Sequence, residues 1–390
     1  MCSDNRTRYI GPPDTPAVKS FALIVCLLAI LASAGCGGST SAGNSNGGGH
    51  AAAIVTGTVT VGTTPRAIAV DSSSNKIYVA DFGEETNTGQ CQTCYCVAVN
   101  GSLTMIDGTT ESPTTTGFSY AIQNPLDLAV NPANHTVYAV SRVFDSTCGF
   151  YLDQLEGLHG ATLILTAATP LTARLGAEID VNEETGYAYV TDWHDSTVTV
   201  LDGNGNLVRT IAVGSHPVGV AVNATTQKIY VANSFNNDIS VIDGVTNSVT
   251  STISSPQIIA PGAVAVNPTT NTIYVANGQS CFTCPAANNL AVIDGASGSV
   301  TTTIPVGTSP AGIAVDTQTN FIYVANAGNF DTGDLGNVTV INGATNTVAS
   351  TLKDPNAQNP SAVAVNPATN KIYVANSGSS NVTVIDGAHD

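Results

Sequence analysis

One line of text recurs seven times along this chain, and it limits the folds open to it. It reads Ile229-Tyr230-Val231-Ala232-Asn233, Ile273-Tyr274-Val275-Ala276-Asn277, Ile322-Tyr323-Val324-Ala325-Asn326 and Ile372-Tyr373-Val374-Ala375-Asn376 in its clearest copies. Ile77-Tyr78-Val79-Ala80-Asp81 and Tyr189-Val190-Thr191-Asp192 are close variants, and Val137-Tyr138-Ala139-Val140-Ser141 is the most divergent. The tyrosines are spaced 60, 51, 41, 44, 49 and 50 residues apart. A period of that size belongs to arrays whose repeating unit is one small β-sheet.

Each copy sits in the same internal order. A proline opens the unit (Pro65, Pro125, Pro217, Pro261, Pro310, Pro360; the third unit has Gly176 nearby instead), and a short apolar strand follows. That strand is small and continuous, as expected of one buried on both faces. A turn such as Asn267-Pro268-Thr269-Thr270-Asn271 leads into the Tyr strand. A third strand alternates, as in Val382-Thr383-Val384-Ile385, and ends at an Asp-Gly or Asn-Gly turn. A Thr-rich strand closes the unit. Four antiparallel strands repeated seven times predict an all-β, seven-bladed β-propeller over residues 51–390. The last unit stops after its third strand, while Ile54 to Val61 is an orphan strand with fourth-strand text. The amino-terminal strand is therefore expected to complete the last blade and close the ring.

The Tyr-Val-Ala/Thr-Asn/Asp strand and the Val-Ile-Asp-Gly turn resemble the YVTN-type, YncE-like bacterial β-propeller repeat proteins. The resemblance covers about residues 51–390. It implies the propeller fold and a cell-envelope location. It does not imply an activity, because one fold hosts many functions.

The amino terminus has an export layout. Arg6, Arg8 and Lys19 precede an uncharged run from Ser20 to Gly35, with small residues leading to Cys36. Residues 1–35 are expected to be a signal peptide and 36–50 a Gly/Ser/Asn tether. Ala34-Gly35-Cys36 resembles a bacterial lipoprotein signal, which makes Cys36 the lipid attachment and the envelope, periplasmic or surface, the location. Ser33 stands where that signal normally has Leu, so a plain cleaved peptide is the rival reading. Six cysteines follow: Cys91, Cys94, Cys96, Cys148, Cys281 and Cys284. An even number in an exported chain favours three disulfides, Cys281 with Cys284 and Cys148 with one of the first three. The exact partners stay open, and thiolate metal binding is the rival.

In a repeat protein, what recurs is framework and what occurs once is a candidate for function. The tyrosines and the Asp-Gly aspartates recur. So do Asp81, Asp192, Asn233, Asn277, Asn326 and Asn376 at the ends of the second strands, which either cap loops or line a mouth. The connections from second to third strand vary: residues 81–102, 141–161, 277–289 and 326–337 are long, and blades 3, 4 and 7 are short. Long loops on one face predict a cleft across the channel, against the plainer reading of tolerated insertions. Its floor would hold the once-only residues Trp193, His194, Asp195, His216, Phe235 and Asp238, beside Asp192 and Asn233.

Charge points the same way. The chain has 28 acidic and 11 basic residues, a net −17, which excludes a nucleic-acid partner. The seven connections hold 11 acids and one base, Arg142. Motifs for nucleotide, serine-hydrolase or zinc-protease chemistry are absent from the sequence. The expected function is a monomeric, envelope-tethered binding scaffold whose acidic loop face takes a protein, cation or small molecule. The alternative is a lactonase-like hydrolase or lyase, possible metal assistance included, using Asp192, His194, Asp195 and His216. No cofactor is expected; a divalent cation is the one that this set leaves open.

Overall fold

The computed structural model describes residues 51–83, 86–87, 97–98, 101–117, 124–145, 150–160, 164–171, 178–278 and 287–388. The expected signal peptide and tether, Cys36, and all six further cysteines lie outside the described residues. No helix among the described residues is long and apolar enough to cross a membrane.

The described residues form seven four-stranded antiparallel sheets. Blade 4 shows the plan: Pro217–Asn223 innermost, then Lys228–Asn233, Asp238–Asp243 and, outermost, Ser248–Ser254. The innermost strand of each blade contacts those of its two neighbours, and Pro360–Asn366 of blade 7 contacts Pro65–Asp71 of blade 1. The strands therefore ring a central channel. Ile54–Thr60 pairs antiparallel with Asn381–Asp386 and supplies the outer strand of blade 7. The chain thus closes on itself, as the orphan strand text implied.

The recurring line explains the packing. On a strand, alternate side chains face opposite ways. Ile77 and Val79 pack with Tyr373 and Ala375 of blade 7, whereas Tyr78 and Ala80 pack with Val137 and Ala139 of blade 2. The Ile-x-Val face, or its Val137-x-Ala139 and Ala188-x-Val190 variants, thus meets the Tyr face of the preceding blade, and one apolar cluster fills each seam. The hydroxyl of a buried tyrosine needs a partner. Tyr138 donates to the carbonyl of Gly203, Tyr189 donates to Asn247 Oδ1, and Tyr323 accepts the Ala388 amide. Each partner lies at or near the Asp-Gly turn of the following blade, so phenylalanine would pack but not latch.

The turn aspartates do what their recurrence implies. Asp107 Oδ1 accepts the amides of Thr109 and Thr110, and Asp243 Oδ1 those of Val245 and Thr246.

Two expectations need correction. The innermost strands are not uniformly buried on both faces: Pro310–Asp316 is half-buried from Ala311 to Val315, where the strand borders the channel, whereas Pro261–Asn267 is buried from Pro261 to Val264. The 141–161 connection of blade 2 is largely strand rather than loop. Thr136–Asp145 and Phe150–His159 pair along their whole length, so the hairpin projects four residues past Ser141.

Candidate functional site

The ring of Asn and Asp at the second-strand ends belongs to the framework. Asn233 is fully buried, and its Nδ2 donates to Asp238 Oδ1 at 2.7 Å and Ser240 Oγ at 2.9 Å. Asn326 and Asn376 make the same bonds to Asn337 and Thr339, and to Asn381 and Thr383. In blade 1 the polarity reverses, and Ser102 and Thr104 donate to Asp81. Burial pushes the Asp81 carboxyl up to about 6. The incoming link passes so close that a Cβ on Gly214 would lie 2.5 Å from Asn233, which explains glycine there. Blade 2 exchanges the two partners: Ser141 donates to Glu156, which stands on the third strand where five blades carry Thr or Ser and blade 5 carries Ala291. Glu156 is fully buried, and burial pushes its carboxyl up to about 8.

This trims the acidity expected of the loop face. Asp81, Asp192 and Glu156 were among its eleven acids, yet all three are buried. Asp195, Asp238, Asp331 and Asp334 remain at least partly exposed among the described residues.

The four residues named for catalysis are hydrogen-bonded locally. Asp192 Oδ1 accepts the amides of His194 and Asp195, each at 3.0 Å, and so shapes its own loop. His194 Nδ1 lies 2.9 Å from Asp195 Oδ1 on the surface. His216 Nδ1 lies 2.8 Å from Ser215 Oγ in the link between blades 3 and 4. Each bond stays within its own segment. Among the described residues no group of three or more His, Cys, Asp or Glu could hold a metal ion.

The aromatic residues converge. The rings of Trp193 and His216 meet edge-to-face with centroids 4.3 Å apart, and His216 stacks on Phe235 at 4.6 Å. Three segments of two blades build this array. His216 occupies the position before the opening proline, where Thr64, Ala260, Ser309 and Asn359 stand in other blades, and all five have positive φ. Its carbonyl accepts both the amide and the hydroxyl of Ser234, each at 3.0 Å, and Phe235 N–H donates to Ser215 O. The strained backbone is thus pinned to the next loop, and the ring is aimed between its two neighbours. Trp193 is 38% and Phe235 72% exposed, so the array lies at the surface rather than in the core. The exposed aromatic side chains of the described residues are these two and Phe330, and all three sit in second-to-third-strand connections.

A second once-only set escaped the sequence reading. Asp127 stands where Ala67, Gly312 and Ala362 stand in other blades, each opposite or nearly opposite an Ala or Val of the second strand, and Asp180 replaces the Ala found opposite the recurring Tyr. Glu178 precedes Asp180 by two residues. Their carboxylates reach the next innermost strand: Asp127 accepts Ile179 N–H at 2.8 Å, Asp180 accepts Val222 N–H at 2.7 Å, and Glu178 accepts Val220 N–H. These amides have no ladder partner across a blade seam, so the acids stitch blades 2, 3 and 4 together. Burial raises all three carboxyls, Asp180 to about 6, and mutual repulsion adds to the rise at Asp127 and Glu178. Comparing the first strands blade by blade would have found them, because each interrupts otherwise small, apolar text.

Thr191 ties this inner set to the rim. Its hydroxyl accepts Glu178 N–H at 3.1 Å and donates to Val218 O at 2.9 Å. Trp193 lies two residues beyond Thr191, and His216 two before Val218. The sector of blades 2 to 4 thus carries both once-only sets.

No protein-family model matches the chain, and no curated protein matches it.

Proposed function

We propose that this protein is a binding scaffold of the cell envelope, a member of the YVTN-type propeller repeat proteins tethered through Cys36, that engages its partner at the rim of blades 3 and 4. The observation that carries the reading is the surface array of Trp193, His216 and Phe235. Exposed aromatic rings clustered on a rigid support are a poor use of surface unless something covers them. The recurring bonds that fix the two short loops hold the rings in place before a partner arrives, which lowers the entropic cost of binding. The expected disulfides would stiffen the longer loops of the same face.

The test is site-specific photo-crosslinking in the cells that make the protein. A benzophenone side chain at Phe235 should give a discrete adduct. The same group at Val245, 77% exposed on the opposite, Asp-Gly turn side of the same blade, should give none. Equal adducts at both positions, or none at Phe235, would contradict a partner at this rim.

A further inference from the structure

We infer that the stacked rings of Trp193, His216 and Phe235, with Asp195 and Asp238 on the same loops, form a docking site for an arginine-bearing segment of a partner protein. This rests on the scaffold reading above and names the chemistry that it recognises. Three observations favour arginine. Phe235 is 72% exposed beyond the ring it stacks on, a platform for a planar group. A guanidinium is planar, weakly hydrated, and stacks on aromatic faces. Each of the two loops also carries a carboxylate: Asp195 is 49% exposed, with one oxygen 2.9 Å from His194 Nδ1, and Asp238 is half-buried and oriented by Asn233 Nδ2. A guanidinium lying on the rings can offer its edge N–H groups to such a carboxylate, where a lysine ammonium offers only a point charge.

The distribution of bases completes the argument. Among the described residues, the exposed Lys and Arg on this side of the ring are Arg66 of blade 1 and Lys353 in the link from blade 6 to blade 7. Arg66 already lies 3.8 Å over the ring of Phe82. Neither belongs to blades 3 or 4, so among the described residues the platform has carboxylates, one of them facing His194, and no Lys or Arg on this side. The contact of Arg66 with Phe82 shows, within this chain, the arrangement proposed for the partner's arginine.

Trp193 is the sole tryptophan, so its emission reports on this site alone. The test titrates the purified protein with a capped Gly-Arg-Gly-Arg-Gly peptide and with Lys and Glu counterparts. The Arg peptide should change the emission saturably, the Lys peptide should bind several-fold more weakly, and the Glu peptide should not bind. Phe235→Ala and Asp195→Asn should each weaken the Arg peptide by about tenfold, a loss of about 1.4 kcal/mol. Phe330→Ala, across the ring, should leave it unchanged. Raising salt from about 50 to about 500 mM should weaken it by about tenfold as exposed charges are screened. An absence of saturable change, indifference to both substitutions, or a response to a neutral oligosaccharide in place of the Arg peptide would overturn the proposal. If the adduct at Phe235 persists while the peptide fails, arginine recognition falls and the scaffold reading stands. Equal adducts at Phe235 and Val245 remove the scaffold reading whatever the peptide does.

Discussion

Deleting residues 51–62 should lower the melting temperature by about 7 °C or more, corresponding to a loss of about 5 kcal/mol. The strand removed pairs along Asn381–Asp386 from Ile54↔Asp386 to Thr60↔Asn381, with one irregularity between Val55 and Gly57. Buried Val59 is lost from the blade 7–blade 1 cluster, and Val55 from the cluster between blades 6 and 7. Thr58 also ties this strand to Asp354 in the preceding link. A fully buried Val contributes about 1.5–3 kcal/mol, and each net backbone hydrogen bond about 0.5–1.5 kcal/mol, so the sum reaches the stated loss. The deletion also leaves Asn381–Asp386 as an open edge, and concentration-dependent association should follow. A thermal melt of the deleted protein decides this: an unchanged midpoint would mean that the ring does not depend on its amino-terminal strand.

Acidification from pH 8 to pH 5 should raise the melting temperature by about 5 °C or more, opposite to the usual expectation for a carboxylate-rich protein. Burial holds Glu156 at about 8 and Asp180 and Asp81 at about 6, and raises Asp127 and Glu178 as well. In the unfolded chain these groups titrate near 4. A carboxyl raised in the fold contributes stability that is fully present below its unfolded pKa and is lost as pH rises through its folded value. The window therefore runs from about pH 4 to about pH 8. Asp71, Asp107, Asp202, Asp243 and Asp294 are shifted the other way, downward. Turn hydrogen bonds to backbone amides and neighbouring side chains lower the last three, Lys76 lowers Asp107, and at Asp71 bonds from Ser73, Ser74 and His135 outweigh the burial that would raise it. Their contribution fades only in stronger acid, so stability should peak near pH 4–5. Relief of self-repulsion at a net −17 acts in the same direction, and Glu156→Gln separates the two. That variant should reduce the slope of the melting temperature between pH 6.5 and 8.5 by the share Glu156 carries, leaving the part due to Glu178, which burial raises to about 7, and to Asp127. A midpoint that stays level or falls from pH 8 to pH 5 would contradict the account.

The ring was legible because its units repeat. Tyr78 and its six counterparts, the Asp-Gly turns and the orphan strand at Ile54 each carry the same physical instruction several times over. The extended hairpin of blade 2 was not legible, because Arg142–Asp145 and Phe150–Leu152 depart from the repeat text and so looked like loop. Trp193, His216 and Phe235 could be grouped on one cleft floor from the sequence, but their ring contacts could not be read there. Their contact depends on the angle between two blades and on a positive φ at His216, and neither is written locally. Asp192 and Asn233 were read as either capping loops or lining a mouth. Their sequence could not say that a second-strand Asn would donate its Nδ2 to the third strand while Asn233, Asn326 and Asn376 keep a buried Oδ1 without a partner.

The central claim is that the once-only rim residues serve a partner while the repeated residues serve the fold. The unfolding midpoint of the Trp193→Ala, Phe235→Ala double variant tests it most directly. These side chains are exposed and stand outside every apolar cluster of the core, so the midpoint should stay within about 2 °C of the parent. A fall of about 8 °C or more would make the aromatic array part of the framework and contradict the account.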